Sequence, residues 1–289
     1  MRRSSAISIG IALSWLVGCS STKPMTLATA SGGAGGETNV ECAAPGFHVD
    51  GTAVTINHVS ATLRDPSGAA VEDLAVQVCG LDQCFTGRTD ASGKTNVVPQ
   101  TSLKLPAFKY GDGFEFAELA VLLGDAANQE LGELVALPLP AYSAGAVFPK
   151  RGSVENGDLT LQISDDTRID HDVLTYAEET ERVFRSVPIP LQQSKAALDP
   201  SFGFELAYGV APLGTTFCPP ARLSLKNSAG WPAESEVEVY IQGLDTSEKW
   251  APYGSWVKVA DARVSSDASS IETNSGGIPI LSSIALRRK

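Results

Sequence analysis

Three segments of the chain alternate between large apolar residues and other residue types with a period of two. They are residues 74–78 (LAVQV), 159–163 (LTLQI) and 237–241 (VEVYI). Successive side chains of a β-strand point to opposite faces, so this period places the large apolar residues on one face. Each segment is therefore predicted to be a strand of an antiparallel sheet that is covered on one side.

Turn-forming residues separate these segments and others like them. The chain contains 27 glycines and 17 prolines, and both residue types interrupt helices and strands. One exception is residues 172–185 (DVLTYAEETERVFR), where the mixture of charged and apolar residues predicts one short surface helix. The overall prediction is an all-β fold built from two or three small antiparallel β-sandwich modules.

The first 18 residues have the pattern of a secretory signal. Arg2 and Arg3 precede an apolar stretch over residues 6–17, and small residues follow it. This order of charged, apolar and small residues is typical of a cleaved signal peptide. The apolar stretch is shorter than the ~20 residues that a membrane-spanning helix needs. We therefore predict a signal peptide over residues 1–18.

Residues 16–19 read Leu-Val-Gly-Cys, which resembles the lipobox of bacterial lipoproteins. The resemblance implies that Cys19 becomes the first residue after cleavage and carries a diacylglyceryl group and a further acyl chain, such as palmitate. Several acyl chains hold a protein on a bilayer, whereas one chain does so only marginally. We therefore expect a lipid-anchored protein of the bacterial envelope. Ser20 and Ser21 contain no acidic retention signal, and the resemblance to enterobacterial lipoproteins then implies the outer membrane.

The chain behind Cys19 changes in composition at about residue 42. Residues 20–41 are rich in Ser, Thr, Gly and Ala and contain almost no large apolar residue, as flexible linkers do. The predicted division is a signal peptide (1–18), a lipidated flexible tether (19–41), a first β-sandwich (42–105), a second β-sandwich (106–228) and a C-terminal β-hairpin module (229–289).

Acidic residues outnumber basic residues. The chain has 33 Asp and Glu against 22 Lys and Arg, and its formal net charge is −11. Proteins that bind nucleic acid neutralise phosphates with basic residues. The composition therefore argues against a nucleic-acid partner. Beyond the membrane, the expected partner is a protein or a polysaccharide in the envelope or outside the cell.

Four cysteines remain once Cys19 is set aside, an even number in a compartment predicted to be oxidising. Cys79 and Cys84 flank the segment GLDQ and lie opposite each other if it is a hairpin loop. Cys42 and Cys218 are the second pair by elimination. The chain has no second close cysteine pair, and its three histidines are scattered, so a zinc site is disfavoured. We expect two disulfides and no metal.

Two turn motifs occur between strand-like segments of residues 59–95. They are Asp65-Pro-Ser-Gly68 and Asp90-Ala-Ser-Gly93. In such turns the aspartate can accept hydrogen bonds from its own backbone, and the glycine supplies a positive φ. Residues from about 55 to 105 resemble the carboxypeptidase regulatory-like domain, a transthyretin-like sandwich. The resemblance implies an accessory module rather than a catalyst.

A second resemblance lies in residues 208–225 (YGVAPLGTTFCPPARLSL). They are similar to the core of ZU5-type sandwiches, in which a G-P-x-G-x-x-F-x-x-P turn joins two strands and buries the phenylalanine. Residues 154–163 (VENGDLTLQI) fit an earlier strand pair of such a domain. The resemblance spans roughly residues 150–226 and implies an interaction or structural module.

Aromatic residues concentrate in residues 230–289. Core filling and cross-strand pairing account for most residues of this kind. Flat rings also form platforms for sugar rings or protein partners. Trp250, Tyr253 and Trp256 are therefore predicted binding residues, and Trp250, in the loop-like context EKWAPYG, is expected to be exposed.

No catalytic motif stands out. Ser255 and Lys258 match S-x-x-K, but that motif needs a helix, and this segment alternates like a strand. The acidic group within residues 165–172 lacks EF-hand spacing, so a solvated turn is favoured over a calcium site. We predict a non-catalytic envelope lipoprotein with a binding or structural role and no cofactor. The alternatives are a carbohydrate-binding surface protein and a hydrolase with a dispersed site.

Overall fold

The computed structural model describes residues 52–247 and 249–289, together with Cys42, Ala44 and Gly46. Residues Val40–Lys289 belong to one compact unit. The predicted signal peptide, Cys19 and the predicted tether lie outside the described residues. The fold is all-β, as the alternating segments predict. In the part of the chain that is described, no helix has the length and apolar character needed to span a membrane.

The amino-terminal part of this unit, residues 53–135, is a β-sandwich that we call the sandwich. One of its sheets has the strand order β5-β2-β9, another has the order β4-β3-β7-β8, and β1 pairs with β6. Apolar side chains from both larger sheets, including Val59, Val78 and Phe108, share one core. The strands are β1 (Ala53–Ile56), β2 (His58–Arg64), β3 (Ala75–Cys79), β4 (Cys84–Arg88), β5 (Lys94–Val97), β6 (Thr101–Lys104), β7 (Ala107–Tyr110), β8 (Leu119–Leu122) and β9 (Asn128–Val135).

The two Asp-x-x-Gly turns of the sandwich have the geometry that the sequence predicts. Oδ1 of Asp65 accepts hydrogen bonds from the N–H groups of Ser67 and Ala69, both at 2.9 Å. Gly93 has a φ of +77°, and a Cβ atom there would lie 2.3 Å from the carbonyl oxygen of Leu63. Glycine is therefore required at the second turn, because any side chain would collide with β2.

The remaining strands form one 12-stranded sheet, which we call the large sheet. One α-helix, α1 (Lys195–Leu198), and 3-10 turns at Glu179–Glu181 and Pro200–Phe202 lie between its strands, and a 3-10 turn at Tyr142–Ala144 precedes its first strand. The strands are β10 (Ala146–Val147), β11 (Gly152–Asn156), β12 (Leu159–Ile163), β13 (Arg168–Asp170), β14 (Val183–Pro188), β15 (Leu206–Ala211), β16 (Thr216–Lys226), β17 (Glu236–Gln242), β18 (Trp256–Val264), β19 (Ser270–Gly276), β20 (Ile278–Ile280) and β21 (Ile284–Arg288).

The large sheet curls into a barrel-like shape whose two ends nearly meet. Its order is β10-β14-β15-β21-β17-β18-β19-β16-β12-β11. Asn156, at the end of β11, contacts Ser186 in β14. The Ser186 N–H donates to Asn156 Oδ1 at 2.7 Å, and its hydroxyl donates to the Asn156 carbonyl at 2.6 Å. Hydrogen bonds between Asn156 and Ser186 thus join the two ends of the sheet. Apolar side chains of the sheet form a second core.

Buried polar side chains fix the sandwich against the large sheet. Gln242 of β17 is 0 % exposed. Its side chain accepts a hydrogen bond from the Ala120 N–H at 3.2 Å and donates to the Ala120 carbonyl at 2.8 Å. Ala120 lies in β8, the last strand of its sheet, so Gln242 satisfies backbone groups that have no strand neighbour. The Ser283 hydroxyl also donates to the Glu118 carbonyl at 2.9 Å.

Arg185 of β14 is a buried cation that contacts both the sandwich and the segment between the sandwich and the large sheet. It is 1 % exposed. Its guanidinium donates to the carbonyls of Gly113 at 3.3 Å, Phe114 at 2.7 Å and Pro140 at 3.2 Å. The same group lies 3.9 Å from the centre of the Tyr142 ring. Carbonyl oxygens and an aromatic face therefore surround this charge.

The helix predicted for residues 172–185 is wrong. The segment contains a 3-10 turn at Glu179–Glu181 and the beginning of β14. Arg182 Nε donates to the Tyr176 carbonyl at 2.7 Å, and Tyr176 itself is buried. These contacts stabilise an irregular backbone, and helix propensity is too weak to outweigh them.

The strand pairing crosses both boundaries predicted between the β modules. β7 pairs with β3 and β9 pairs with β2, so strands on both sides of residue 105 share sheets. The boundary predicted at residue 228 falls inside the large sheet, where β16 pairs with β19. Local alternation identifies strands but does not reveal which distant strands become neighbours.

Both predicted disulfides are present. Cys79 and Cys84 lie directly opposite each other in the hairpin of β3 and β4, with Cα atoms 4.0 Å apart. Cys42 bonds to Cys218, 176 positions further along the chain, with Cα atoms 5.5 Å apart. The second disulfide therefore ties the beginning of the compact unit to β16.

Candidate functional site

A cleft of about 120 Å³ lies where the sandwich meets the large sheet, and we call it the junction cleft. Both parts of the compact unit contribute charged side chains to its wall, in which one lysine faces four carboxylates. These residues are Lys109, Asp112 and Glu118 from the sandwich, and Asp172 and Asp245 from loops of the large sheet.

Lys109 and Glu118 form a largely buried ion pair in the wall of the cleft. Lys109 lies in β7, and Glu118 directly precedes β8, the antiparallel neighbour of β7. Their Nζ and Oε1 atoms are 2.9 Å apart. Burial raises the pKa of Glu118, the Lys109 ammonium opposes this rise, and Asp245 and Asp112 add to it. The single lysine therefore does not balance the carboxylates around it.

The three aspartates of the cleft are fixed by their own turns. Asp112 Oδ1 accepts hydrogen bonds from the N–H groups of residues 114, 115 and 116, each at 2.9 Å. Asp172 Oδ1 accepts from the N–H groups of residues 174 and 175, both at 3.1 Å. Asp245 Oδ1 accepts from the N–H group and the hydroxyl of Ser247 at 2.6 and 2.7 Å. The Oδ2 atom of each carboxylate lies outside these turn contacts.

Two buried tyrosines lie near these charges. The Tyr176 hydroxyl donates to the Gly113 carbonyl at 3.3 Å and accepts from the Leu213 N–H at 3.0 Å. Tyr253 is 2 % exposed, and its hydroxyl has no hydrogen-bond partner among the described residues. Burial raises the pKa of Tyr253, and the charges of Glu118 and Asp245 raise it further. The Tyr253 side chain lies behind the wall of the cleft and is not among the residues that line it.

An exposed apolar loop borders the cleft. Val173 and Leu174 follow Asp172 directly, and Leu174 is 93 % exposed. The ring of Phe148, beside the exposed Val147 of β10, lies 5.4 Å from the ring of His171 at the start of this loop. Large apolar side chains that project into solvent beside one another are typical of interaction surfaces.

Comparison with known proteins identifies no relative of this chain. No family model matches it, and neither a curated protein nor a solved structure does. The resemblances to carboxypeptidase regulatory-like and ZU5-type domains therefore stay predictions, and the functional argument rests on the site itself.

The carboxylates of the cleft are not arranged as a metal site. Among the described residues, no group of three or more His, Cys, Asp or Glu side chains could hold a metal ion. The acidic group at residues 165–172 makes contacts with arginines instead. Arg168 Nε lies 2.7 Å from Asp170 Oδ2, and Arg151 lies 4.0 Å from Asp165.

The structure does not bring the three predicted aromatic binding residues together on an exposed face. Tyr253 and Trp256 are buried, and Trp250 is partly buried against the core of the large sheet. The indole N–H of Trp256 donates to the Ala197 carbonyl at 2.9 Å. Trp256 also lines a separate apolar pocket of about 260 Å³, together with Leu122 and Phe202.

The sequence analysis missed Lys109, Glu118 and Asp245 as site residues. Lys109 interrupts the otherwise apolar strand AFKY, and Glu118 directly precedes the apolar strand LAVL. A charged residue in apolar surroundings needs a partner when it is buried. These two positions could therefore have been recognised from the sequence as a candidate ion pair. Asp245 lies in a polar turn that resembles many surface turns. Its role emerges only from the fold.

Proposed function

We propose that this chain is a lipid-anchored lipoprotein of the bacterial envelope with a non-catalytic binding role. The junction cleft and the apolar loop beside it would receive the partner. The signal-like first 18 residues and the Leu-Val-Gly-Cys segment support the anchor, and the two disulfides suit an oxidising compartment. The outer membrane is the proposed location.

The observation that carries the binding role is an exposed apolar side chain on a loop that hydrogen bonds hold in place. Leu174 is 93 % exposed on a loop whose backbone is held by Asp172. Behind this loop, the buried side chains of Tyr176, Gln242 and Ser283 connect the sandwich with the large sheet. A surface that is ordered before it binds loses little entropy on binding, so such a surface suits a docking role.

A photo-crosslinking residue at position 174 tests the docking surface. In intact cells of the producing bacterium, we expect p-benzoylphenylalanine at this position to form a discrete covalent adduct, because Leu174 would contact the partner. Val98 is the matched control, since it is also exposed, at 49 %, but lies outside the cleft. Absence of an adduct at 174, or the same adduct from both positions, would contradict the docking proposal.

The anchor has a separate test. We expect Cys19→Ser to move the protein from the membrane fraction to the soluble fraction, because serine cannot receive the thioether-linked lipid. The measurement is fractionation of cells, followed by detection of the carboxyl-terminal part of the chain. A Cys19→Ser protein that still sediments with membranes would show that lipidation at this residue is not the anchor.

A further inference from the structure

The apolar pocket beside Trp256 measures about 260 Å³ and shares no lining residue with the junction cleft. We call it the Trp256 pocket. Leu122 of β8 forms the wall that belongs to the sandwich, and Gly254 and Trp256 form a wall that belongs to the large sheet. The third wall is α1 with the 3-10 turn that follows it. Three segments that are far apart in the sequence thus enclose one mainly apolar space.

A hydrogen bond and ring packing hold the aromatic walls of this pocket in place. The indole N–H of Trp256 donates to the Ala197 carbonyl of α1 at 2.9 Å. The centre of the Phe204 ring lies 5.0 Å from that of Trp256 in an edge-to-face arrangement, and the Phe202 ring stacks on Phe204 at 5.1 Å. Trp256 and Phe202 both line the pocket. Its shape is therefore largely set before a ligand enters, which lowers the entropic cost of binding.

Leu122 leaves apolar surface accessible at this pocket. It is 41 % exposed, although it is a large apolar residue. The Gly254 backbone packs so closely against it that a Cβ atom at position 254 would lie 2.8 Å from Leu122 Cδ2. A ligand in the pocket would shield the remaining surface of Leu122 from water, which is favourable. An apolar cavity of ~150 Å³ binds benzene, so the larger Trp256 pocket can hold one aromatic ring together with a short side chain.

Two opposite charges line the pocket, and both come from the wall that contains α1. Lys195 is the first residue of α1, and Asp199 directly follows the helix with a φ of +44°. Opposite charges four positions apart can pair on a helix. Here Asp199 is outside the helical conformation, and neither side chain forms an ion pair with a described residue. Asp199 Oδ1 accepts hydrogen bonds from the N–H and hydroxyl of Ser201 at 3.0 and 2.7 Å, which fix the carboxylate.

We infer that the Trp256 pocket binds a free α-amino acid with an aromatic side chain. The ring of the ligand packs against Trp256, Phe202 and Leu122. The carboxylate of the ligand accepts hydrogen bonds from the Lys195 ammonium, and the ammonium of the ligand donates to the Asp199 carboxylate. This small-molecule site is separate from the proposed docking surface, so the failure of one proposal leaves the other unaffected.

Four small molecules test this ligand class. They are L-phenylalanine, 3-phenylpropionate, which lacks the ammonium group, 2-phenylethylamine, which lacks the carboxylate, and L-alanine, which lacks the ring. We expect L-phenylalanine to bind the full chain at least about tenfold more tightly than each of the others, because a charge-assisted hydrogen bond or the ring contact is lost in each case. Calorimetric titration with both disulfides intact measures the affinities. No binding of L-phenylalanine, or equal binding of any of the other three, would overturn the inference.

Lys195→Gln tests the contact to the carboxylate. We expect this variant to bind L-phenylalanine about tenfold more weakly and to lose the preference for L-phenylalanine over 2-phenylethylamine. Lys104→Gln is the matched control, because Lys104 is also an exposed lysine but lies outside the pocket, and it should leave both affinities unchanged. Equal losses in the two variants would indicate a non-specific effect of net charge and would overturn the role of Lys195.

Asp199→Asn tests the contact to the ammonium group. The asparagine Oδ1 atom can still accept the turn hydrogen bonds, so we expect the fold to persist while the preference for L-phenylalanine over 3-phenylpropionate disappears. Asp267→Asn is the matched control, since Asp267 Oδ1 accepts from the N–H and hydroxyl of Ser269 at 3.0 and 2.8 Å in the same kind of turn. A preference that survives in Asp199→Asn would contradict the assignment of this carboxylate.

Ala196→Phe locates the site. Ala196 lines the pocket and is exposed, so a larger side chain there can occupy the pocket while thermal stability stays close to that of the natural protein. We expect this variant to lose L-phenylalanine binding. If L-phenylalanine binds the folded variant with unchanged affinity, the ligand site lies elsewhere and the inference about this pocket is wrong.

Discussion

Replacing Arg185 with lysine is expected to lower the free energy of unfolding by about 3–5 kcal/mol. Lysine keeps the charge, but it cannot reach the carbonyls of Gly113, Phe114 and Pro140 together or lie flat over the Tyr142 ring. A buried charge would therefore remain with fewer partners than the arginine has. Urea denaturation with both disulfides intact measures the change.

Two further variants make this result interpretable. Arg185→Met removes the charge together with the donors, so we expect a smaller loss of about 1–3 kcal/mol from carbonyls left without partners. Arg151→Lys is the surface control, because Arg151 is exposed and its one ion pair, with Asp165 at 4.0 Å, is long. Its effect on the free energy of unfolding should be within about 0.5 kcal/mol. If Arg185→Lys is as stable as the natural protein, the guanidinium contacts do not hold the two parts together.

Replacing Gln242 with leucine is expected to lower the free energy of unfolding by about 4 kcal/mol, since several buried backbone groups lose their partner at a cost of about 1–3 kcal/mol each. The Ala120 N–H and carbonyl lose their hydrogen bonds to the side chain. The carbonyls of Ala197 and Gly254, which accept from Nε2 at 3.1 and 3.3 Å, lose a donor. Thermal and urea unfolding give the value.

The control for this variant is Gln162→Leu. Gln162 lies in β12 with its side chain exposed, so the same chemical change there should alter stability by less than about 0.5 kcal/mol. Proteolysis adds a second readout. Loss of Gln242 should speed cleavage between β8 and β10, if this side chain joins the sandwich to the large sheet. Unchanged cleavage together with a small stability change would contradict that role.

Features that depend on a few neighbouring residues were predictable from the sequence. The period of two in residues 74–78, 159–163 and 237–241 identified three strands, because the strand backbone turns successive side chains to opposite faces. The Cys79–Cys84 disulfide followed from the length of one hairpin loop. The Asp-x-x-Gly turns followed from the hydrogen-bonding capacity of aspartate and the positive φ of glycine.

Features that depend on distant contacts were not predictable in the same way. Residues 172–185 contain plausible helix formers, but Arg182 binds the Tyr176 carbonyl and β14 pairs with β15, so the segment is not a helix. The junction cleft combines Lys109, Glu118, Asp172 and Asp245, which are far apart in the sequence. Only the packing of the sandwich against the large sheet brings them to one place.

The Cys42–Cys218 disulfide determines how tension would pass through the protein. If the chain is held from its amino-terminal side and pulled at its carboxyl end, force that reaches Cys42 crosses the covalent bond directly to β16. The intervening loop, which includes the whole sandwich, carries none of this force. Only the part of the chain after Cys218 is stretched directly, and the strands of the sandwich are not pulled along their own length.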